Sequence, residues 1–188
     1  DCTGHGVPGA MVSVVCNNAL NRAIREYGLT QPAKILDKIT ELVIETFNKS
    51  DDDVNDGMDI ALCALNSKTN ELQYAGANNS LYIIRDNKIL ETKPNKQPIG
   101  KHIKNTPFTN HIFQLEANDI IYLFTDGFAD QFGGKKGKKF MYKPFKDLLI
   151  DIHQKNMNEQ REKLNTAFKS WKGDLEQIDD VCVLGIRI

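Results

Sequence analysis

The change of hydrophobic period near residue 60 constrains this chain more than any other feature. Up to Phe47 the apolar residues recur at helical spacing. From Ile60 they come in short runs instead: Ile60–Leu65, Leu72–Ala77, Leu81–Arg85 and Lys88–Glu91. The separators are Asn66–Asn70, Asn78–Asn79 and Asp86–Asn87. Asn and Asp tolerate positive φ, so these read as hairpin turns. The unbroken apolar run Ile60–Leu65 is the pattern of a strand buried on both faces.

Helices frame these strands. The first is predicted from about Gly9 to Tyr27, with Met11, Val14, Val15, Ala19, Ile24 and Tyr27 on its apolar face and Gly28 as its stop. Thr30 is placed to cap the second, with Pro32 in the first turn and Ile35, Leu36, Ile39, Leu42, Val43 and Phe47 as the stripe. Residues 48–57 read as a polar loop. Residues 93–110 read as irregular and hold three of the six prolines. His111–Leu115 and Ile120–Thr125 are two more strands, and a loop carries Gly133, Gly134 and Gly137. Pro144 opens a helix through His153. Asn156 with Glu159 forms a capping pair for another helix, with Met157, Leu164, Phe168 and Trp171 as its stripe and Gly173 as its stop. Val181–Ile188 is the last strand. With no internal repeat and no linker, the chain reads as one domain of α+β or layered α/β/β/α type.

Composition narrows the function classes. At 188 residues, 40% hydrophobic and 26% charged, the chain is an ordinary globular one that can bury roughly 70% of its unfolded surface. No run of about 18 apolar residues is present, which excludes a spanning helix. The net charge of −1 argues against nucleic acid as a partner. Cys2, Cys16, Cys63 and Cys182 are scattered and form no C-x-x-C pair, which fits buried small hydrophobes in a reducing cytoplasmic setting rather than zinc or disulfides. The first residues, Asp1-Cys2-Thr3-Gly4-His5-Gly6, carry no initiator Met and read as a piece of something longer.

Three carboxylates carry the chemistry. Asp126 directly follows the run Ile120–Thr125, and Asp179 directly precedes Val181-Cys182-Val183-Leu184. If those strands are antiparallel neighbours, both carboxylates meet at one sheet edge, where Gly127 lets the backbone turn sharply. Asp1 stands where a strand would have ended, before a glycine loop and a helix. Clustered carboxylates repel one another unless a divalent ion neutralises them, and hard oxygen ligands suit Mg²⁺ or Mn²⁺. The alternative is that strand-end aspartates are turn formers and caps. Asp51, Asp53 and Asn55 begin like an EF-hand loop, but Asp56 stands where that motif needs Gly and Leu62 where it needs Glu. Lys135, Lys136, Lys138 and Lys139 form a basic patch, either a solvated loop or an attractor of phosphorylated substrate. His5 stays open between ligand, acid and loop residue, while His102, His111 and His153 lack spaced partners.

Taken in order, the motifs resemble the SpoIIE-like branch of the PPM (type 2C) metal-dependent serine/threonine protein phosphatases. The matching pieces are Asp1–Ala10, Asp56-Gly57-Met58-Asp59-Ile60-Ala61, Tyr74-Ala75-Gly76-Ala77-Asn78-Asn79, Gln97-Pro98-Ile99-Gly100, Leu123–Asp130 and Asp179-Asp180-Val181-Cys182-Val183. The resemblance implies a four-layer αββα sandwich of two mainly antiparallel sheets flanked by helices. It implies two Mn²⁺ or Mg²⁺ ions at one edge, Asp1 bridging both, the Cys2 carbonyl assisting one, and Asp126 and Asp179 completing the other. Asp1, Asp126 and Asp179 are thus the catalytic set, and a metal-activated water replaces a protein nucleophile.

The family carries a Gly-Asp pair on strands before this point, so residues 1–188 are expected to be an N-terminally truncated domain lacking its first strands. A sensory module is expected upstream. The implied role is a bacterial signalling output domain that dephosphorylates phosphoserine or phosphothreonine on a partner protein such as an anti-sigma-factor antagonist. No nucleic acid and no direct membrane contact are expected. A truncated sandwich exposes edges and apolar faces, so a homodimer that covers them is also expected. The alternative role is a catalytically silent phosphatase-like module for binding or dimerisation.

Overall fold

Asparagine and aspartate close the tight turns in the left-handed region: Asn70 (φ 54°), Asp86 (50°) and Asn87 (60°). The structure, a computed structural model, describes residues 1–48 and 56–188. The elements in chain order are α1 (Gly6–Arg25), α2 (Pro32–Phe47), β1 (Ile60–Asn66), β2 (Glu71–Ala77), β3 (Leu81–Arg85), β4 (Lys88–Thr92), β5 (His111–Gln114), β6 (Ile120–Phe124), α3 (Gly127–Asp130), β7 (Phe132–Gly133), β8 (Lys138–Lys139), α4 (Tyr142–Ile152), α5 (Met157–Lys172) and β9 (Val183–Arg187). Two main sheets, antiparallel throughout, run β1-β2-β5 and β4-β3-β6-β9. No described helix is long and apolar enough to cross a membrane. The acidic cluster at Asp51, Asp53 and Asn55 lies outside the described residues.

The chain divides into two units. The first comprises Asp1–Ser80 with Lys93–Leu115. Here α2 buries Ile35, Leu36, Ile39, Leu42 and Val43, as its stripe predicts, in one cluster with Ala75 and Ala77 of β2. Its N-cap is Gln31 rather than Thr30, with Pro32 as the first helical residue. The predicted face of α1 is right only at Ala19, which is buried, and Val15, which packs against the cluster. The helix buries Gly9, Val12, Cys16, Ala19 and Ala23, while Met11 and Val14 are each 64% exposed. The buried residues are small and recur every three or four positions, which lets α1 lie close to its neighbours. Ranking residues by apolarity alone selects the larger side chains on the opposite face. Asn78–Asn79 is also not a hairpin, since β2 and β3 belong to different sheets. Instead Asn78 N donates to Asn95 O (3.0 Å), Asn95 N donates to Gly76 O (2.9 Å), and the Tyr74 hydroxyl donates to Asn79 O (2.6 Å).

The second unit comprises Leu81–Thr92 with Glu116–Ile188. Tyr82, Ile84, Ile120, Tyr122 and Phe124 share a buried cluster with Phe145, Leu149 and Ile152 of α4 and Leu164 of α5. Phe128 joins it through ring contacts with Phe140 and Phe168, both at 5.2 Å between centroids. The Tyr122 hydroxyl bonds the buried Gln160 amide, whose Nε2 donates to the carbonyls of His153 (3.1 Å) and Lys155 (2.8 Å). Asn156 and Glu159 form the predicted capping box on α5. Helix α4 begins at Tyr142, so Pro144 sits within its first turn rather than opening it. The glycine-rich loop turns out to be the β7–β8 hairpin, and α3 is a single turn that no hydrophobic period announces.

One buried charge is built into this unit. Arg85 Nε and Nη2 reach Asp119 Oδ1 and Oδ2 at 2.9 and 2.5 Å, and Asp119 Oδ2 accepts from Glu116 N at 2.8 Å. Burial works to raise the Asp119 carboxyl, but the Arg85 guanidinium and the Glu116 amide outweigh it and hold it below its ordinary value. A depressed carboxyl stabilises the fold above its unfolded pKa of about 4, and that contribution is lost as pH falls through the lower folded value. Asp119→Asn is therefore expected to cost about 2 kcal/mol at pH 7, with the difference from wild type closing below about pH 4 in urea titrations. On α1 and α2, Leu36→Ala is expected to cost about 3 kcal/mol by the same measurement, and Met11→Ala less than about 0.5 kcal/mol.

Candidate metal centre

β6 and β9 run antiparallel from Ile120↔Arg187 to Phe124↔Val183. The chain leaving β6 and the chain entering β9 therefore stand side by side. Thr125 ties them together: its N–H donates to Cys182 O (3.1 Å), its Oγ1 accepts from Cys182 N (2.9 Å), and its hydroxyl donates to Asp180 O (2.6 Å). Gly127 completes the approach. A Cβ there would stand 2.4 Å from Asp180 O and 3.2 Å from Asp179 Cβ, so no larger residue fits. Asp126 and Asp179 are thereby brought to one end of the strand pair, as the sequence predicts.

The two carboxylates differ in what else they do. Asp126 is half-buried and stands at the N-cap of α3, yet its side chain makes no capping bond; only its carbonyl serves the helix, accepting from Asp130 N at 2.9 Å. Capping therefore does not account for its carboxylate. Asp179 is exposed, and its Oδ1 accepts from Asp180 N at 2.8 Å, so the turn-forming reading holds for one of its oxygens. Lys139 Nζ donates to Asp130 Oδ2 at 2.8 Å. That bond raises the Lys139 ammonium above its ordinary value, and the charges of Asp130, Asp126 and Asp179 add to the rise. Sequence reasoning missed this lysine as part of the site, although the basic run containing it was visible.

Asp1 and Cys2 lie in the first unit. Asp59 N donates to Asp1 O (2.8 Å) and the Asp1 amino group donates to Asp59 O (3.2 Å), while Thr3 N donates to Gly57 O (2.9 Å). Cys2 and Met58 are thus the non-hydrogen-bonded pair of a short antiparallel ladder, and the Cys2 carbonyl points away from the Met58 strand. Met58 in turn exchanges bonds with Ile99 at 3.0 and 2.8 Å. Three of the sequence motifs meet in this ladder. Asn78 Nδ2 donates to Asp59 Oδ1 at 2.9 Å. All four candidate donors are oxygens, three carboxylates and one carbonyl, which fits a hard divalent cation and not zinc or copper.

The remaining candidates separate. His5 is the exposed N-cap residue of α1 and makes no capping bond. His111 stacks with Phe113 at 6.4 Å between centroids, and His153 Nδ1 lies 2.5 Å from Ile150 O, so both have structural roles. Burial pushes the Cys63 thiol up to about 12. Burial and then the neighbouring Cys2 do the same for Cys16. The expectation of buried cysteines is met in full only by Cys16: Cys2 and Cys63 are half-buried, and Cys182 is exposed, its backbone rather than its side chain engaging Thr125.

The family model for stage II sporulation protein E (SpoIIE) matches residues 1–188. No curated protein sequence matches the chain. Among solved structures, the SiaA PP2C domain of Pseudomonas aeruginosa superposes with a TM-score of 0.89 at 31% identity, covering 100% of this chain and 73% of that one. The PP2C phosphatase domain of SpoIIE from Bacillus subtilis, with a fragment of its regulatory domain, gives 0.77 at 15% identity, and the RsbU and RsbW domains of Rv1364c from Mycobacterium tuberculosis give 0.74 at 20%. Each of these covers 100% of this chain, which spans about half of theirs, 52% and 49%. The motifs in family order, the two antiparallel sheets with their helices and these matches together establish that the chain belongs to the SpoIIE-like branch of the PPM (type 2C) protein phosphatases.

Proposed function

We propose that the chain is a metal-dependent serine/threonine phosphatase domain acting as an output module in bacterial signalling. The observation that carries this reading is the convergence of Asp126 and Asp179 at the end of β6 and β9. In this reading Asp1, the Cys2 carbonyl, Asp126 and Asp179 hold two Mn²⁺ or Mg²⁺ ions. When bound, such ions acidify a water and neutralise phosphate oxygens in an in-line displacement. The protein's own part is positional. The Thr125 hydroxyl fixes the spacing of the two strand ends, Gly127 admits the contact between them, and Lys139 pairs with Asp130. Asp1 is held by its main chain to Asp59, which leaves its side chain uncommitted to the ladder.

The substrate would be phosphoserine or phosphothreonine on a partner protein. Support for a regulatory partner comes from the relatives, one of which joins RsbU and RsbW domains and another a regulatory fragment. An anti-sigma-factor antagonist is the partner class we favour. A sensory module and the first strands of the sandwich are proposed to precede residue 1 in the full-length protein, a second copy of the chain to cover the exposed edges, and the cytoplasm to be the setting.

With Mn²⁺, the full-length protein is expected to hydrolyse an aryl phosphate, and Asp126→Asn to lower kcat more than about a hundredfold while Mn²⁺ titration calorimetry shows weakened binding. An Asp126→Asn variant of wild-type activity would sink the assignment. Mn²⁺ binding without hydrolysis would favour the silent binding module. Thr125→Val is expected to weaken apparent Mn²⁺ affinity roughly tenfold or more, because it removes the clamp and not a ligand.

A further inference from the structure

The β7–β8 hairpin is anchored at its base on the end of α5. Gly134 N donates to Trp171 O (2.8 Å), and Trp171 Nε1 donates to Gln131 O (3.0 Å). A Cβ on Gly133 would stand 1.9 Å from Trp171 O, so the hairpin lies directly on the end of α5. Phe140 N donates to Gln131 O (3.0 Å) and the Phe140 ring meets Trp171 edge-on at 5.4 Å, closing the base of the hairpin.

Onto this frame the sequence places four exposed lysines, 135, 136, 138 and 139. Lys139 faces the carboxylate site: it pairs with Asp130 and senses Asp126 and Asp179. Lys135, Lys136 and Lys138 form no ion pair among the described residues. Three unpaired like charges within four residues repel one another and do nothing for packing. Through Lys139 their hairpin reaches Asp130, and the carboxylates gathered there would themselves repel a dianionic phosphoryl group. Lysines are compact point charges on flexible stems, suited to attracting an anionic surface without reading a fixed geometry.

We propose that the β7–β8 hairpin is a docking element for acidic phosphoproteins, with Lys135, Lys136 and Lys138 contacting carboxylates that flank the phosphorylated residue. It rests on the phosphatase reading for the identity of the phosphorylated residue, and it adds the class of sequence selected around it. The attraction is long-ranged and falls with ionic strength.

The test uses the full-length protein, metal-free for binding and with Mn²⁺ for turnover, two fluorescein-labelled phosphoserine peptides, one flanked by Asp and Glu and one by Ser and Gly, and p-nitrophenyl phosphate. By anisotropy, wild type is expected to bind the acidic peptide about tenfold more tightly, a preference erased in the Lys135→Ala/Lys136→Ala/Lys138→Ala variant and in about 0.5 M salt. Turnover of p-nitrophenyl phosphate is expected to change less than about twofold in the variant. The proposal is overturned if wild type shows no preference, if the variant keeps it, or if the lysines mediate binding to phosphatidylserine vesicles and not to the peptide. A preference that depends on the lysines in a protein without p-nitrophenyl phosphatase activity would support docking while removing the phosphatase reading.

Discussion

The hydroxyl of Thr125 is the constraint on which the candidate centre depends. It accepts from one strand's entry at Cys182 and donates to the carbonyl of Asp180, so both of its hydrogen-bonding capacities are used across the β6–β9 end. Without it, Cys182 N and Asp180 O lose their partners just where the strands stop pairing. Gly127 matters for the same reason: it sits where the two loops touch and leaves no room for a methyl group. The location of Asp126 and Asp179 is therefore set by main-chain bonding and close approach, not by attraction between the side chains, which carry the same charge.

How much of this was legible depended on whether a feature is local. The stripe of α2, the capping box of Asn156 and Glu159, and the turns at Asn70 and Asp86–Asn87 each follow from residues a few positions apart, and the structure reproduces them. The juxtaposition of Asp126 and Asp179 was also readable, because an apolar run ending in one and another starting after the other can be paired on paper. What escaped needed tertiary information. The buried face of α1 was misread in part because close packing favours Gly9, Cys16 and Ala23 over larger neighbours, and apolarity ranks those larger neighbours first. The Asn78–Asn79 segment resembled a hairpin, but the end of β2 bonds with Asn95 instead of turning back.

The β7–β8 hairpin was hidden for a different reason. Its strands are two residues long and carry lysine and glycine, which have little strand propensity. What makes it a hairpin is the end of α5, some 35 residues later in the chain, where Trp171 offers a carbonyl to Gly134 and an indole N–H to Gln131. Gly133 and Gly134, which read as loop punctuation, are there for close approach to that tryptophan. The basic run itself was plain in the sequence. Its position beside Asp130 was not, since no period links Lys139 to the end of β6.

Asp119 and Asp126 show how the same residue type serves folding and chemistry. Asp119 is only 2% exposed and meets a guanidinium in a two-pronged bond, with a main-chain amide on the same carboxylate. Every contact on it explains its burial, and none points to a ligand. Asp126 is half-buried, heads a one-turn helix that its side chain does not cap, and shares the field of Lys139 with Asp130 and Asp179. Carboxylates gathered in that way raise the energy of the folded chain, whereas Asp119 lowers it. A fold keeps such an arrangement when the main chain enforces it, as Thr125 and Gly127 do here, and a divalent cation is the species whose charge would repay the repulsion.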